Sequence, residues 1–185
     1  FPGALQWAKG TTVESLAKQV VELSDSKLDT DCGELLAAEY GSSALDIARS
    51  IAEEPTLGER LVSDRAEVLA MVDWAVKTEF AMRLSDVMIR RTQLFFKDQD
   101  QGLGALDRIA DRMGMLLDWT PETIQEEKEA YREEVALSRV PTAIATDGAL
   151  PVDLSSSTDL FLCAEAMAQA ANADAKFLAM RYETA

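Results

Sequence analysis

Apolar residues recur at three- and four-residue spacing through most of this chain, which is the pattern of amphipathic helices. Near the start, Thr11-Thr12 can cap a helix. The apolar positions of this helix are Val13, Leu16, Ala17, Val20 and Val21. A short second helix is predicted through residues 35–38 and ends at Tyr40-Gly41, because glycine suits a left-handed position after a helix.

A third helix is predicted through residues 45–51, with Ser42-Ser43 as its cap and Pro55 closing it. The centre of the chain has the strongest pattern, beginning with a long helix capped by Asp64. The apolar face of that long helix holds Val68, Met71, Val72, Ala75, Val76 and Phe80.

A further central helix, capped by Ser85, is apolar over most of its circumference. Its apolar residues are Val87, Met88, Ile89, Leu94, Phe95 and Phe96. Because a helix that is apolar all round is usually buried, we expect it to run through the middle of the domain.

Two more helices follow. The first covers residues 103–117, and the residues expected to face inward are Leu106, Ile109, Met113 and Leu116-Leu117. The next opens with Thr120-Pro121-Glu122, a cap followed by a first-position proline and an acidic first turn, and reaches Leu137. The predicted fold class is therefore all-α, an orthogonal bundle of six to eight helices with a C-terminal helical extension.

The character of the sequence changes after Val140. Residues 141–157 are rich in proline, glycine and serine and are predicted to be a linker. Residues 158–185 are predicted to form an amphipathic helical tail, which either folds back on the domain or pairs with another copy. The predicted organisation is a helical domain over residues 1–140, followed by these two segments.

The composition narrows the classes of function. The chain has 185 residues, a net charge of −15 and no histidine. Such acidity repels nucleic acid phosphates and anionic lipid headgroups, so we expect no nucleic acid partner. Since no run of about 18 apolar residues occurs, we expect no direct membrane insertion. The missing histidine removes the commonest metal ligand and general base.

The start of the sequence at Phe1-Pro2-Gly3, without methionine, indicates a chain cut from a longer polypeptide. Its two cysteines, Cys32 and Cys163, are far apart and form neither a disulfide framework nor a zinc pattern. We therefore expect two reduced structural thiols. Trp7, Trp74 and Trp119 are interpreted as core residues.

The candidate motifs for cofactor and metal binding all fail in detail. Gly102-Leu103-Gly104 lacks the third glycine and the preceding strand of a dinucleotide site, so it is interpreted as a helix start. In Asp98–Gly102 the glycine falls fifth, whereas a calcium loop needs it sixth, with Glu at the twelfth position. The acidic residues Glu126-Glu127, Glu129 and Glu133-Glu134 are interpreted as a solvated helix face. We predict no catalytic, cofactor-binding or metal-binding residue in this chain.

One constellation of charges is a candidate site: Glu79, Asp86, Arg90 and Arg91. Consecutive arginines on a helix point about 100° apart, so at least one leaves the solvent-facing side. Arg90 lies four residues after Asp86, which suits a local ion pair, and Glu79 can reach an arginine if the two helices pack antiparallel. The first interpretation is an internal salt-bridge network, and the second is a phosphate or domain-interface contact.

Several segments occur in an order that matches a known family. They are Phe1-Pro2-Gly3, Tyr40-Gly41-Ser42, Glu67-Val68, Trp74-Ala75-Val76, Glu79, Ala81-Met82-Arg83-Leu84-Ser85-Asp86-Val87, Arg90-Arg91-Thr92, Met115-Leu116-Leu117-Asp118-Trp119 and Tyr131. Over residues 1–138 the chain resembles the C-terminal domain of aerobic, FAD-dependent glycerol-3-phosphate dehydrogenases. Related glycerophosphate oxidases share this domain, so the electron acceptor stays open between quinone and oxygen.

The resemblance implies a whole enzyme that oxidises sn-glycerol 3-phosphate to dihydroxyacetone phosphate, with FAD taking a hydride from C2. Flavin and substrate are then bound by the N-terminal part, and this chain is a helical cap without catalytic residues or cofactor. The implied partners are the N-terminal FAD-binding part of the same polypeptide and, as an open alternative, a second copy.

On this resemblance, Glu79, Asp86, Arg90 and Arg91 organise the cap and its docking face. The implied location is the cytoplasm, or the inner membrane peripherally through the whole enzyme. Mitochondrial members carry calcium-binding loops after this domain, whereas residues 141–185 contain no such motif. The competing hypothesis is an acidic helical protein-interaction or regulatory module.

Overall fold

The computed structural model describes residues 10–139, and these residues form a helical domain. The α-helices are α1 (Val13–Leu23), α2 (Thr30–Tyr40), α3 (Ala44–Glu53), α4 (Ala70–Lys77), α5 (Leu94–Lys97), α6 (Leu106–Leu117) and α7 (Pro121–Ser138). Between them lie 3₁₀ turns at Gly41–Ser43, Pro55–Gly58 and Leu103–Ala105, and a π-helix at Asp86–Arg91. Within residues 10–139 no strand forms, which confirms the all-α prediction.

The predicted linker over residues 141–157 and the predicted tail over residues 158–185 lie outside the described residues. Phe1-Pro2-Gly3, Trp7 and Cys163 lie outside them as well. The two other tryptophans, Trp74 and Trp119, are partly buried and pack against the core, as predicted. No helix in the described part of the chain is both long and apolar enough to cross a membrane.

Helix α1 begins and helix α2 ends where the sequence predicts, although α2 already starts at Thr30, before the predicted residues 35–38. The Thr12 hydroxyl accepts a hydrogen bond from the Ser15 N–H, and the Ser15 hydroxyl accepts one from the Thr12 N–H, so α1 starts with a capping box. Helix α2 ends at Gly41, whose positive φ of 56° few other residues adopt. Gly33 lets α1 and α2 approach closely, because a Cβ there would lie 2.6 Å from the side chain of Val21.

The predicted serine cap of α3 is wrong in its mechanism. Ser43 occupies the N-cap position, but its backbone is already helical and its side chain does not cap the helix. A capping serine needs an extended backbone, whereas here a 3₁₀ turn at Gly41–Ser43 leads directly into α3. Helix α3 ends before Pro55, as predicted.

The predicted long helix after Asp64 is also wrong, because only Ala70–Lys77 is helical. Residues 59–69 instead form a loop closed by two backbone hydrogen bonds, from Leu61 N–H to the Glu67 carbonyl and from Leu69 N–H to the Glu59 carbonyl. Val68 is fully buried from this loop. Because buried loop residues can show the same apolar spacing as a helix, the spacing alone predicted a helix over these residues.

The second central helix is broken in two. Gln93, with a left-handed φ of 59°, separates the π-helix Asp86–Arg91 from the four-residue α5. Its apolar residues divide accordingly: Val87, Met88 and Leu94 are fully buried, while the Phe96 side chain is 71% exposed. The predicted burial is therefore confirmed for one face and wrong for Phe96.

The last two helices match their predictions and complete the core. Thr120 accepts a hydrogen bond from the Thr123 N–H and caps α7, with Pro121 in the first position. The largest side chains that are fully buried come from most of the elements: Tyr131, Leu36, Ile47, Ile51, Met71, Leu84, Met88, Leu94, Leu106, Ile109, Met113 and Val20. The core thus joins the N-terminal helices to the segment that carries the candidate charges.

Candidate functional site

The four predicted site residues lie on residues 79–93, which we name the π segment. Non-glycine residues in the left-handed region mark both of its ends, Phe80 with φ 58° and Gln93 with φ 59°. Within the segment, Asp86–Arg91 follow the rare i→i+5 pattern, and the Thr92 N–H and hydroxyl both donate to the Val87 carbonyl at 2.9 Å. π-Helical turns and left-handed bulky residues both concentrate at functional sites.

Asp86 organises the start of this segment. One carboxylate oxygen accepts hydrogen bonds from the Met82 and Arg83 N–H groups, each at 3.0 Å, and the other accepts one from Arg90 at 2.5 Å. Partial burial raises the pKa of the Asp86 carboxyl, but these three donors together hold the pKa below its usual value. The ion pair predicted from the four-residue spacing of Asp86 and Arg90 is therefore confirmed.

Arg91 joins the two ends of the π segment. Its Nε lies 2.7 Å from Oε2 of Glu79, and its Nη2 donates to the Glu79 carbonyl at 3.2 Å. The Nε and Oε2 atoms are shielded from water and are not aligned as a hydrogen bond, so this contact is held by charge. The predicted pairing of Glu79 with an arginine is confirmed, and Arg91 is the arginine that leaves the solvent-facing side.

A second set of charges, formed by Lys97, Glu67 and Glu39, lies near the Arg91–Glu79 pair around Tyr40. Lys97 donates to Glu67 at 3.1 Å and to Glu39 at 3.2 Å, and the Glu67 side chain is almost completely buried. Burial, followed by the charge of Glu79 and then that of Glu39, raises the pKa of Tyr40, so its phenol stays neutral. The Tyr40 ring meets Trp74 edge-on, with ring centroids 6.3 Å apart.

Glu127 corrects one prediction from the sequence. The sequence predicts that Glu127 lies with its neighbours on a solvated helix face. In the structure its carboxylate is largely buried and contacts Nε of Arg83 at 2.5 Å. It also accepts a hydrogen bond from the Leu84 N–H at 3.0 Å. Helix α7 is thereby tied to the π segment. A glutamate in a run of glutamates gives no sign of such a partner, because the two residues are 43 positions apart.

An ion cluster not predicted from the sequence joins the buried Asp73 and the largely buried Arg112 to the exposed Glu54. Arg112 holds both oxygens of Asp73, at 2.6 and 2.8 Å, and both oxygens of Glu54, at 2.9 and 3.0 Å. Lys77 adds a contact of 2.7 Å to Asp73. The available signal was a lone aspartate within the apolar run 70–76. A buried carboxylate needs such a counter-charge, since desolvation is costly.

The pH dependence of stability tests this cluster. Burial raises the pKa of Asp73, but Arg112 and Lys77 outweigh it and lower the pKa. Since this pKa is lower in the folded protein, the stabilisation is fully present above the unfolded pKa of about 3.9 and is lost as the pH falls through the folded pKa. We expect Asp73→Asn to lower the free energy of unfolding by about 2 kcal/mol at pH 7. This difference from the wild type should shrink below about pH 4.

Urea unfolding of both proteins between pH 7 and pH 3 measures the difference. Asp46→Asn is the control, because Asp46 pairs with Arg49 on the surface and should contribute little at any pH. A difference for Asp73→Asn that stays constant over this range would contradict the assignment.

The segment Gly102-Leu103-Gly104 does not fit the pyrophosphate of a dinucleotide. A dinucleotide site offers free backbone N–H groups to the pyrophosphate, whereas those of Gly102 and Gly104 donate to the carboxylates of Asp98 and Asp100, at 3.0 and 3.1 Å. The segment starts a 3₁₀ turn, which confirms its interpretation as a helix start.

One acidic cluster has the spacing of a metal site but a different role. The oxygens of Asp29 and Asp31 lie near the sulfur of Cys32. Both carboxylates accept hydrogen bonds from Arg60, at 2.8 and 2.6 Å, so an arginine already occupies the position between them. Burial raises the pKa of the Cys32 thiol to about 11, which keeps it protonated at neutral pH, as befits a structural thiol.

Comparisons with known proteins identify the family. The family model for the C-terminal domain of alpha-glycerophosphate oxidase matches residues 1–124 and therefore includes the whole π segment. A probable mitochondrial glycerol-3-phosphate dehydrogenase of Dictyostelium discoideum is 36% identical over 105 residues, which are 57% of this chain and 16% of that protein. The mitochondrial glycerol-3-phosphate dehydrogenase of Bos taurus is 33% identical over 115 residues, 60% of this chain and 16% of that protein.

A cyanobacterial relative extends the range. The glycerol-3-phosphate dehydrogenase of Synechocystis sp. is 31% identical over 102 residues, 55% of this chain and 18% of that protein. The chain thus spans about a sixth of the length of the curated relatives it matches. No solved structure matches it.

These matches do not favour the hypothesis of an acidic interaction module. They agree with the resemblance carried by the ordered motifs from Tyr40-Gly41-Ser42 to Arg90-Arg91-Thr92. Because the family model covers more than half of the chain, this protein belongs to the family of C-terminal domains of alpha-glycerophosphate oxidase.

Proposed function

We propose that this chain is the non-catalytic helical domain of an FAD-dependent glycerol-3-phosphate dehydrogenase. The whole enzyme oxidises sn-glycerol 3-phosphate to dihydroxyacetone phosphate, and both FAD and substrate are bound by its N-terminal part. The observation that carries this proposal is the family match over residues 1–124, which includes the complete π segment. The relatives named glycerol-3-phosphate dehydrogenase support the substrate.

The role of the domain within that enzyme is structural. Its described residues form one apolar core, and its buried charges are neutralised internally: Asp73 by Arg112, and Glu67 by Lys97. The π segment is the part in which the family motif coincides with an unusual backbone. We propose that Glu79, Asp86, Arg90 and Arg91 hold this segment in shape for contact with the N-terminal FAD-binding part. The enzyme's location, in the cytoplasm or peripherally at the inner membrane, belongs to the same proposal.

The test uses the whole enzyme that contains this domain. We expect the purified protein to carry FAD and to oxidise sn-glycerol 3-phosphate in a dye-coupled assay. Arg91→Ala should lower flavin retention and thermal stability several-fold more than Arg49→Ala, because Arg49 belongs to an exposed surface pair with Asp46. Single-turnover reduction of the flavin that remains bound should be unchanged, since Arg91 is not placed at the reacting atoms.

Two outcomes would contradict the proposal. A whole enzyme without bound flavin, or without turnover of sn-glycerol 3-phosphate, would contradict the activity. An enzyme from which residues 10–139 are deleted, yet which keeps its flavin and its full turnover, would contradict the structural role of the domain.

A further inference from the structure

Two large apolar side chains are exposed near the start of the π segment, in the loop before its helical part. Phe80 is 80% exposed and Met82 is 58% exposed, while Ala81 between them is buried. The backbone at Phe80 adopts a positive φ of 58°, which is unfavourable for a bulky residue that gains nothing from burial. An exposed aromatic residue held in a strained conformation needs a reason outside the domain's own packing.

The loop that presents these side chains is rigid. Asp86 accepts the N–H groups of Met82 and Arg83, and Arg91 binds both the side chain and the carbonyl of Glu79. The buried Ala81 donates its N–H to the Ala75 carbonyl at 2.9 Å. Phe80 and Met82 are therefore presented by a preorganised backbone, which lowers the entropy lost on binding a partner.

The charge around the loop differs from that of the rest of the chain. Residues 77–91 contain four basic and two acidic side chains, and Glu127 and Asp73 pair with Arg83 and Lys77, so the loop lies in nearly neutral surroundings in a chain of net charge −15. Arg83 and Arg90 flank the loop and remain more than half exposed although each has a carboxylate partner. An apolar pair rimmed by exposed arginines has the composition of the centre and rim of a protein interface.

We propose that Phe80 and Met82 insert into an apolar pocket on the N-terminal FAD-binding part of the enzyme, with Arg83 and Arg90 facing acidic groups at its rim. This inference rests on the proposed function and names the contact that the function requires. The relatives argue for this occupant, because the chain matches only 16–18% of their length, which leaves a body several times larger than this domain.

Site-specific photo-crosslinking tests this contact in the whole enzyme. The photoreactive amino acid p-benzoylphenylalanine replaces Phe80 in one variant and Phe96 in the control. Phe96 is the matched position, because it is the same residue type and is similarly exposed at 71%. It lies on α5, outside the loop at residues 80–82. After irradiation, we expect position 80 to crosslink to one peptide of the N-terminal part, and position 96 to leave that peptide unlabelled.

The hydrogen exchange of the crosslinked partner peptide gives a quantitative measure of the contact. Phe80→Ala should raise the hydrogen exchange of that partner peptide, because an aromatic anchor contributes about thirtyfold or more to a contact equilibrium. Phe96→Ala should leave its exchange unchanged. The partner peptide is remote from the substitution, so a merely local disturbance of the loop would not alter it.

Several outcomes overturn the inference: no crosslink from position 80, crosslinks only to a second copy, or equal labelling of scattered peptides from both positions. The proposed function fails separately. An enzyme that turns over sn-glycerol 3-phosphate but shows one of these outcomes loses only this contact, whereas an enzyme that binds no FAD loses the proposed function whatever is crosslinked.

Discussion

Replacing Arg112 by methionine is expected to lower the free energy of unfolding by about 3–5 kcal/mol at pH 7, because it leaves a buried carboxylate without its counter-charge. The Asp73 side chain is only 6% exposed and Arg112 only 14%. Arg112 joins α6 to α4 through Asp73 and to the end of α3 through Glu54. Methionine retains much of the volume, so the loss comes from charge and hydrogen bonding rather than from a cavity.

Chemical denaturation of the wild type and Arg112→Met measures this effect. Arg49→Met is the control, since Arg49 also pairs with an aspartate but both side chains are more than half exposed, and such pairs contribute about 1 kcal/mol or less. The double variant Asp73→Leu with Arg112→Met should recover part of the loss, because an apolar pair often replaces a buried ion pair without penalty. Equal effects of Arg112→Met and Arg49→Met would refute the assignment.

Leu84→Ala is expected to lower the free energy of unfolding by about 2–5 kcal/mol through lost burial and the cavity left behind. Leu84 is completely buried in the core directly before the π-helix, and its N–H binds Glu127 of α7. Because Leu84 anchors the π segment, the same variant should also increase hydrogen exchange in residues 79–93. Thermal or urea unfolding, together with exchange measured by mass spectrometry, follows both effects.

Leu137→Ala is the matched control for this prediction. Leu137 is 88% exposed on α7, so removal of its side chain should change the free energy of unfolding by no more than about 0.5 kcal/mol. If Leu84→Ala were as mild as Leu137→Ala, the π segment would not be anchored through this side chain. The burial of Leu84, rather than helix propensity, is what the comparison isolates, since both substitutions replace leucine by alanine in the same chain.

The Leu84 prediction bears on the proposed function through the π segment. The π segment is anchored in the core by the buried side chains of Leu84, Val87 and Met88, and Glu127 of α7 binds it through Leu84 and Arg83. Phe80 and Met82 of the same segment are exposed. Under the proposed function, the core keeps the π segment in one shape, and the strained loop is the part that we propose to contact the N-terminal part.

Features decided within one turn of the chain were predictable from the sequence. Thr12 and Thr120 cap helices through N–H groups three residues ahead, and Gly41 ends a helix through its own conformation. The Asp86–Arg90 pair follows from a spacing of four residues. The order of the motifs from Tyr40 to Arg91 was sufficient to identify the family, because it requires no knowledge of how the helices pack.

Features decided between distant residues required the tertiary structure. The partners of Arg112 are 39 and 58 residues away, and Glu127 meets Leu84 across 43 residues. The loop at residues 59–69 and the break at Gln93 were missed because buried loop residues and helix residues show the same apolar spacing. The caps of α1 and α7 depend on hydrogen bonds between near neighbours, so the sequence by itself determines them. The partners of buried charges, and the side chains left exposed, depend on which helices meet, and only the folded structure decides that.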